Sequence, residues 1–370
     1  MSIRFRTAAL ALAIGSSWAA VSWAQGSAAL RPEAEGRVEQ TRLTAQGALR
    51  KDLAYGVYQA IYNPADQGLY IASAQAQDGV RGGALFKLDP ITLDVQQTIY
   101  TDEKNFGLAL NTRGDALFVT NSLSSSIARV ELGPKASVLR HYFTERSGDG
   151  TKMGPRTVRY DASKNRLYVG AVGWPSVVWV LDADTLQVLA TIENAGKWVT
   201  GLQVDPMRSR LYVGNGEGEI LVVNTDTFQT EQRWRPERHK QPLWLNFALD
   251  EKRGLLYVSE GRNLNTVLAL DAETGQIKHR LPVGESMDVL YNPERDELYI
   301  SHRQQAKVSV LDAADYRVKA QYDLGTYPNS LALGADQQLY VTVKEPFTPS
   351  HQASAPEQVV RIDLRTLQSN

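Results

Sequence analysis

The sequence predicts an all-β fold, a seven-bladed β-propeller of four-stranded antiparallel blades whose ring is closed by an amino-terminal strand completing the last blade. Three observations carry this expectation. A strand core of an apolar residue, an aromatic and a β-branched or similar residue recurs seven times. It is centred on Tyr70, Phe118, Tyr168, Tyr212, Tyr257, Tyr299 and Tyr340, at intervals of 41 to 50 residues. Each repeat holds short strand-like runs bounded by turn residues, most cleanly over residues 290–333. The two ends are out of phase: residues 49–53 resemble a fourth strand but precede the first repeat, whereas the last repeat stops after its third strand at 359–364. Pairing those ends hides the sheet edges that would otherwise invite aggregation.

In chain order, residues 1–24 have the pattern of a secretory signal. Arg4 and Arg6 form the basic start, residues 8–14 an apolar run, and Ser22-Trp23-Ala24 a small-x-small site with cleavage expected after Ala24. That run is too short to span a bilayer, and Phe5 separates the two arginines, which favours ordinary secretion over a twin-arginine route. Residues 25–47 are polar, with few large apolar groups, and read as a flexible leader. The propeller then occupies 48–366 as one domain and 367–370 form a carboxy-terminal tail. The chain has no cysteine, which excludes disulfides, a lipidated amino terminus and thiolate metal sites. The expectation is a periplasmic monomer without membrane insertion.

Charge is balanced, with 40 basic and 41 acidic side chains, and losing Arg4 and Arg6 leaves a net charge near −3. The whole molecule has no long-range pull toward nucleic acid or anionic lipid, so binding of either kind must be local.

The turns are unequal. Seven residues before most of the anchoring aromatics stands Asn63, Asn111, Asp161, Asp205, Asp250 or Asn292, each able to bond its own following backbone. Asp89, Asp182, Asn224, Asp271 and Asp312 repeat this after the third strand, while the last repeat has Leu333 at the first position. The other two connections are long at 73–83, 142–155, 233–244 and 344–358. In a four-stranded meander those connections share one side of the sheet, so the insertions all fall on one face of the disk. Elaborated loops on one face are where a scaffold presents function.

On that face the innermost strands begin with Tyr58, Phe106, Arg156, Trp198, Trp244, Met287, Tyr327 and Asn329, and the loops add Trp174, Arg262, His302, Arg303 and Lys344. Tyr58, Phe106, Arg156, Trp174, Trp198, Trp244, His302, Arg303, Tyr327 and Asn329 are the candidate ligand-binding residues, because aromatic and guanidinium groups at a concave mouth make an adaptable binding surface. Arg156 stands apart as a cation within an inner strand, either paired in the ring or available to an anion. Catalytic patterns are missing: there is no nucleophile elbow, no zinc-protease helix motif and no phosphate-cradling loop leading into a helix. The five histidines are scattered, so neither a metal nor a cofactor is expected.

The repeated strand core with its following polar residue, then a Val-x-Val-x-Asp strand, resembles the YVTN-type β-propeller repeats of exported bacterial proteins. The likeness covers about 49–364 and is densest over 299–304, 307–310 and 327–333, with further matches at 87–93, 155–156, 196–197 and 200–202. Trp198, Trp244 and the loop 74–82 depart from it. The resemblance implies a periplasmic seven-bladed propeller without assigned catalysis, for which single-stranded DNA binding has been suggested. Three readings follow. The first is a non-catalytic binding or scaffold module whose partner, an envelope protein or a small ligand, docks on the long-loop face. The second is a single-stranded DNA-binding protein that uses the aromatic and basic groups of that face. The third, disfavoured by the carboxylate and histidine inventory, is a propeller-type lactonase or cofactor-dependent enzyme.

Overall fold

A computed structural model describes residues 41–43, 48–77, 79–133, 136–262, 264–346, 348 and 353–367. The expected signal segment at 1–24 and the leader up to residue 40 lie outside them. The described residues form seven sheets. Blade one comprises Val57–Asn63, Gly68–Ser73, Gly83–Leu88 and Val95–Thr101, all antiparallel neighbours. Blades two to six repeat the meander from inner strands Leu108–Leu110, Gly154–Asp161, Val199–Asp205, Trp244–Asp250 and Asp288–Asn292. The first strand of each blade packs against that of the next, and Tyr327–Leu333 of blade seven returns to Val57–Asn63, so the ring is closed.

Closure follows the expected route. Blade seven contributes Tyr327–Leu333, Gln338–Lys344 and Glu357–Asp363, and Leu49–Ala54 pairs antiparallel with the last of these. One difference appears at the outer edge: Thr41–Leu43, within the stretch expected to be leader, pairs with Leu49–Lys51 and adds a fifth strand there.

All seven repeat aromatics are sealed, because each sits where one blade's second strand faces the next blade. Successive hydrophobic clusters bridge neighbouring blades around the ring. One joins Tyr168 and Val180 of blade three to Leu202 and Leu211 of blade four. The next joins Tyr212 and Val222 to Phe247 and Leu256 of blade five. Fully burying side chains of this size contributes roughly 1.5–3 kcal/mol each. The turn residues act as the sequence implies. Asp205 Oδ1 accepts from the backbone N–H of Arg208 at 3.2 Å and Asp250 Oδ1 from that of Arg253 at 3.0 Å. After the third strand, Asp89 and Asp271 each accept from two successive backbone N–H groups.

The two long kinds of connection meet each other on one face. Lys104, between blades one and two, donates to the carbonyls of Ala74 at 2.8 Å and Gln75 and Val80 at 3.1 Å, all within a second-to-third strand loop. Gly148, in the connection into blade three, donates to Trp174 O at 2.8 Å.

Candidate functional site

The inner strands do not enter the sheet regularly at this face. The ladder shifts register between Val57 and Ala60, Pro155 and Thr157, Val199 and Gly201, Trp244 and Phe247, and Pro328 and Leu331. The residues left out of the pairing are Tyr58, Gln59, Arg156, Thr200, Leu245, Asn246, Asn329 and Ser330, and each lines a central cavity of about 480 Å³. A bulge leaves a residue out of the pairing and re-aims its side chain. That is why a strand whose neighbours are buried presents Arg156 to the channel.

Five of the ten candidates converge. The rings of Tyr58 and Phe106 lie 4.6 Å apart, and the Arg156 guanidinium carbon stands 5.1 Å from the first and 5.6 Å from the second. Arg303 Nη2 donates to Asn329 Oδ1 at 2.6 Å, and Asn329 Nδ2 donates to Tyr58 O at 3.2 Å. Arg303 Nε and Nη1 are buried without a hydrogen-bond partner. Burial lowers the Arg156 pKa below the ordinary arginine value. Burial, then the neighbouring Arg156 charge, brings Arg303 down to about 10, so its guanidinium stays charged at neutral pH. The carboxylates nearby are engaged: Glu285 accepts from the Gln304 backbone, and Glu357 holds Lys344 and the Val57 N–H.

Trp174 and Trp198 lie at the rim. Trp174 is 59% exposed and its indole N–H donates to Glu217 Oε1 at 3.1 Å. Trp198 is half-buried against Leu243, Leu245 and Met287, with Lys197 Nζ 4.2 Å from its ring centroid. Tyr327 is exposed at the start of its strand, outside the cavity lining.

Two candidates are corrected. Trp244 has no exposed surface, because its ring fills the seam between blades four and five beside Phe247 and Leu256. Its neighbour Gly214 is bare for the same reason, since an added Cβ would meet Trp244 Cβ at 2.9 Å and Phe247 Cζ at 2.5 Å. His302 is also sealed, with Nδ1 bonded to Glu285 O and Nε2 to Ser309 Oγ. It stands three residues after its blade aromatic, where Asn121, Asn215 and Glu260 stand in blades two, four and five. Each of these side chains fastens the loop that enters its own inner strand. Lys344 and Lys104 are likewise committed, the first to Glu357 and Val57 O and the second to loop carbonyls.

Sequence reasoning missed the channel wall below the mouth: Gln59, Arg159, Gln203 and Asp288. Gln59 Oε1 accepts from Leu108 N at 2.9 Å and Asp288 Oδ2 from Leu331 N at 2.9 Å, so each ties its inner strand to the next blade's. Burial raises the Asp288 pKa to about 6 against the pull of these bonds and of Arg159. Polar residues at alternate positions of an inner strand, such as Thr157 and Arg159, were the available signal. Among the described residues no group of three or more histidines, aspartates or glutamates is placed to hold a metal, and no helix is long and apolar enough to cross a membrane.

No family model matches the chain. Similarity to individual proteins is extensive. The chain is 34% identical over 326 residues to the uncharacterized protein YncE of Salmonella typhi, covering 87% of this chain and 92% of the relative. The chain belongs to the YncE family. The YncE protein of Escherichia coli K12 is also 34% identical, over 324 residues, with 86% and 92% coverage. Antigen Lp49 of Leptospira interrogans is 26% identical over 195 residues, half of this chain and 42% of the antigen. Alignment over nearly the whole YncE length and a closed seven-bladed ring agree on a YncE-like propeller.

Proposed function

We propose that this YncE-family protein is exported to the periplasm and acts there as a non-catalytic binding module whose ligand docks at the long-loop mouth of the channel. The observation that carries the reading is the bulged Arg156. Its guanidinium is held against Tyr58 and Phe106 at the entrance of a cavity of about 480 Å³, a size within the range of small-molecule sites. Export rests on the pattern of residues 1–24. Hydrogen exchange of the mature protein with and without periplasmic extract tests the docking face. Protection is expected at 57–60, 154–158, 199–201 and 327–331. Protection confined to the opposite, tight-turn face refutes the reading, and an amino terminus other than Gln25 on the purified mature protein refutes the assigned cleavage.

A second reading, single-stranded nucleic acid on the same face, draws on the exposed Trp174 ring and the half-buried Trp198 ring. Base stacking on such rings contributes about 1–3 kcal/mol per base. Titration with short oligonucleotides at low and moderate salt decides it, since unchanged tryptophan fluorescence at low salt excludes this mode.

A further inference from the structure

Two like charges stand together at the channel mouth, and neither is held in a direct ion pair: Glu285 and Glu357 attract Arg303, but they bond to the Gln304 backbone and to Lys344 instead. Among the described residues, the contacts of the Arg156 side chain are the Tyr58 and Phe106 rings, and no carboxylate lies within ion-pair distance of it. Arg303 spends one nitrogen on Asn329 and leaves two buried and unbonded. Several other cations among the described residues are instead matched by a carboxylate. Arg295 and Lys319 converge on Glu297 at 2.8 and 2.6 Å, Arg253 holds Asp250 at 2.7 Å, and Lys344 holds Glu357 at 2.8 Å. A buried cation without a partner is unfavourable, and a second one beside it adds repulsion. Such a pair is relieved by an anion, and the planar fork of arginine suits the paired oxygens of carboxylate or phosphate.

Resting on the proposed reading of this face as the ligand-binding one, we infer that Arg156 and Arg303 form a receptor for one oxyanion, a carboxylate or phosphate, carried by a small molecule whose body enters the central channel. The Tyr58 and Phe106 rings, tilted 60° to each other, supply apolar surface beside the anion. The channel below offers amide and hydroxyl groups from Gln59, Thr157, Gln203 and Asn246 to the rest of the ligand. Asn329 fixes the Arg303 fork and is itself anchored to Tyr58 O, so the second cation is held in place before the ligand arrives.

Thermal unfolding of the mature protein in sodium phosphate, sodium citrate and sodium chloride at matched ionic strength tests this, with isothermal titration of phosphate and citrate for affinity. Phosphate or citrate is expected to raise Tm above the chloride value. Arg156→Gln and Arg303→Gln are expected to lower affinity at least tenfold, whereas Arg262→Gln, an exposed cation of the same face, leaves it unchanged. Anion-free Arg156→Gln is expected to melt no lower than the parent, because it removes an unmatched charge; a purely structural arginine moves Tm the other way. If Arg156→Gln does not fold, Arg156→Lys keeps the charge without the fork and is expected to lose affinity several-fold. Equal Tm in all three salts, or affinity unchanged in both glutamine variants, overturns the inference. Tight binding of a thymidine decamer without any response to phosphate or citrate also overturns it, assigning the guanidiniums to a polymer. Mouth protection by periplasmic extract that persists in Arg156→Gln, alongside no anion response, rejects this receptor while leaving the proposed function standing. Loss of both rejects both.

Discussion

Lys344 Nζ lies 2.8 Å from Glu357 Oε2 and 2.7 Å from Val57 O, joining the last blade to the first through an ion pair almost sealed from water. The Val57 N–H is donated back to the same carboxylate, so the side chain of Glu357 grips the amino-terminal inner strand. The ring is thus fastened twice, outside by the Leu49–Ala54 strand and inside by this pair. Removing one partner strands a buried charge. Lys344→Met should destabilise by about 3–5 kcal/mol in denaturant unfolding. Lys344→Met with Glu357→Gln should recover part of that loss, and equal stabilities for single and double variants would show the pair to be idle.

Stability against pH should conceal two opposed slopes. Burial lowers the His302 pKa from 6.5 to about 4, so its contribution is lost as pH falls from 6.5 toward 4. Burial raises Asp288 from 3.8 to about 6, so its proton is held more tightly when folded and its contribution is lost as pH rises from 4 toward 6. Each of these differences from the unfolded value corresponds to about 3 kcal/mol at most. His302→Asn, which copies the residue of blades two and four, should leave a stability that falls with rising pH in this window. Asp288→Asn should leave one that rises. Parallel pH profiles for both variants and the parent would refute the assignment.

The two tryptophans of opposite fate separate packing from binding. Trp244→Ala should destabilise by about 3–5 kcal/mol, because it empties a filled seam between blades. Trp174→Ala should stay within about 0.5 kcal/mol of the parent, because its ring is largely solvated. If a ligand quenches indole fluorescence, the quenching should decline in Trp174→Ala.

The Asp205 carboxylate accepts from the Arg208 N–H at 3.2 Å and the Arg208 guanidinium at 2.9 Å, with the Tyr212 hydroxyl, which donates to Ala272 O at 2.7 Å, a further 3.2 Å contact. Asp205→Ala should therefore cost about 2–3 kcal/mol by thermal or denaturant unfolding, more than a turn residue on an exposed hairpin. Asp205→Asn should lose less, since it keeps an acceptor. Equal losses would show that charge rather than acceptance holds the turn.

Much of this molecule was legible in its residue order, for a physical reason. A blade cannot bury its own faces, so each repeat must carry an aromatic and an apolar strand at the same place, most with an Asp or Asn at the turns, and period and phase then dictate ring and closure. Tyr70 to Tyr340, Asp205 and the Leu49–Ala54 strand are of this kind, because their roles are set within one repeat or by the arithmetic of the ends. Roles across seams were not legible. Whether Trp244 meets solvent depends on the space left by Gly214 in another blade, and His302 reads as a channel group until its partners Glu285 and Ser309 are seen to enclose it. Arg156 and Arg303 are far apart in the chain, and only the closing of the ring sets one cation beside another at the channel mouth. Repetition is written locally, whereas matched or unmatched charge is a property of neighbours that only the closed ring supplies.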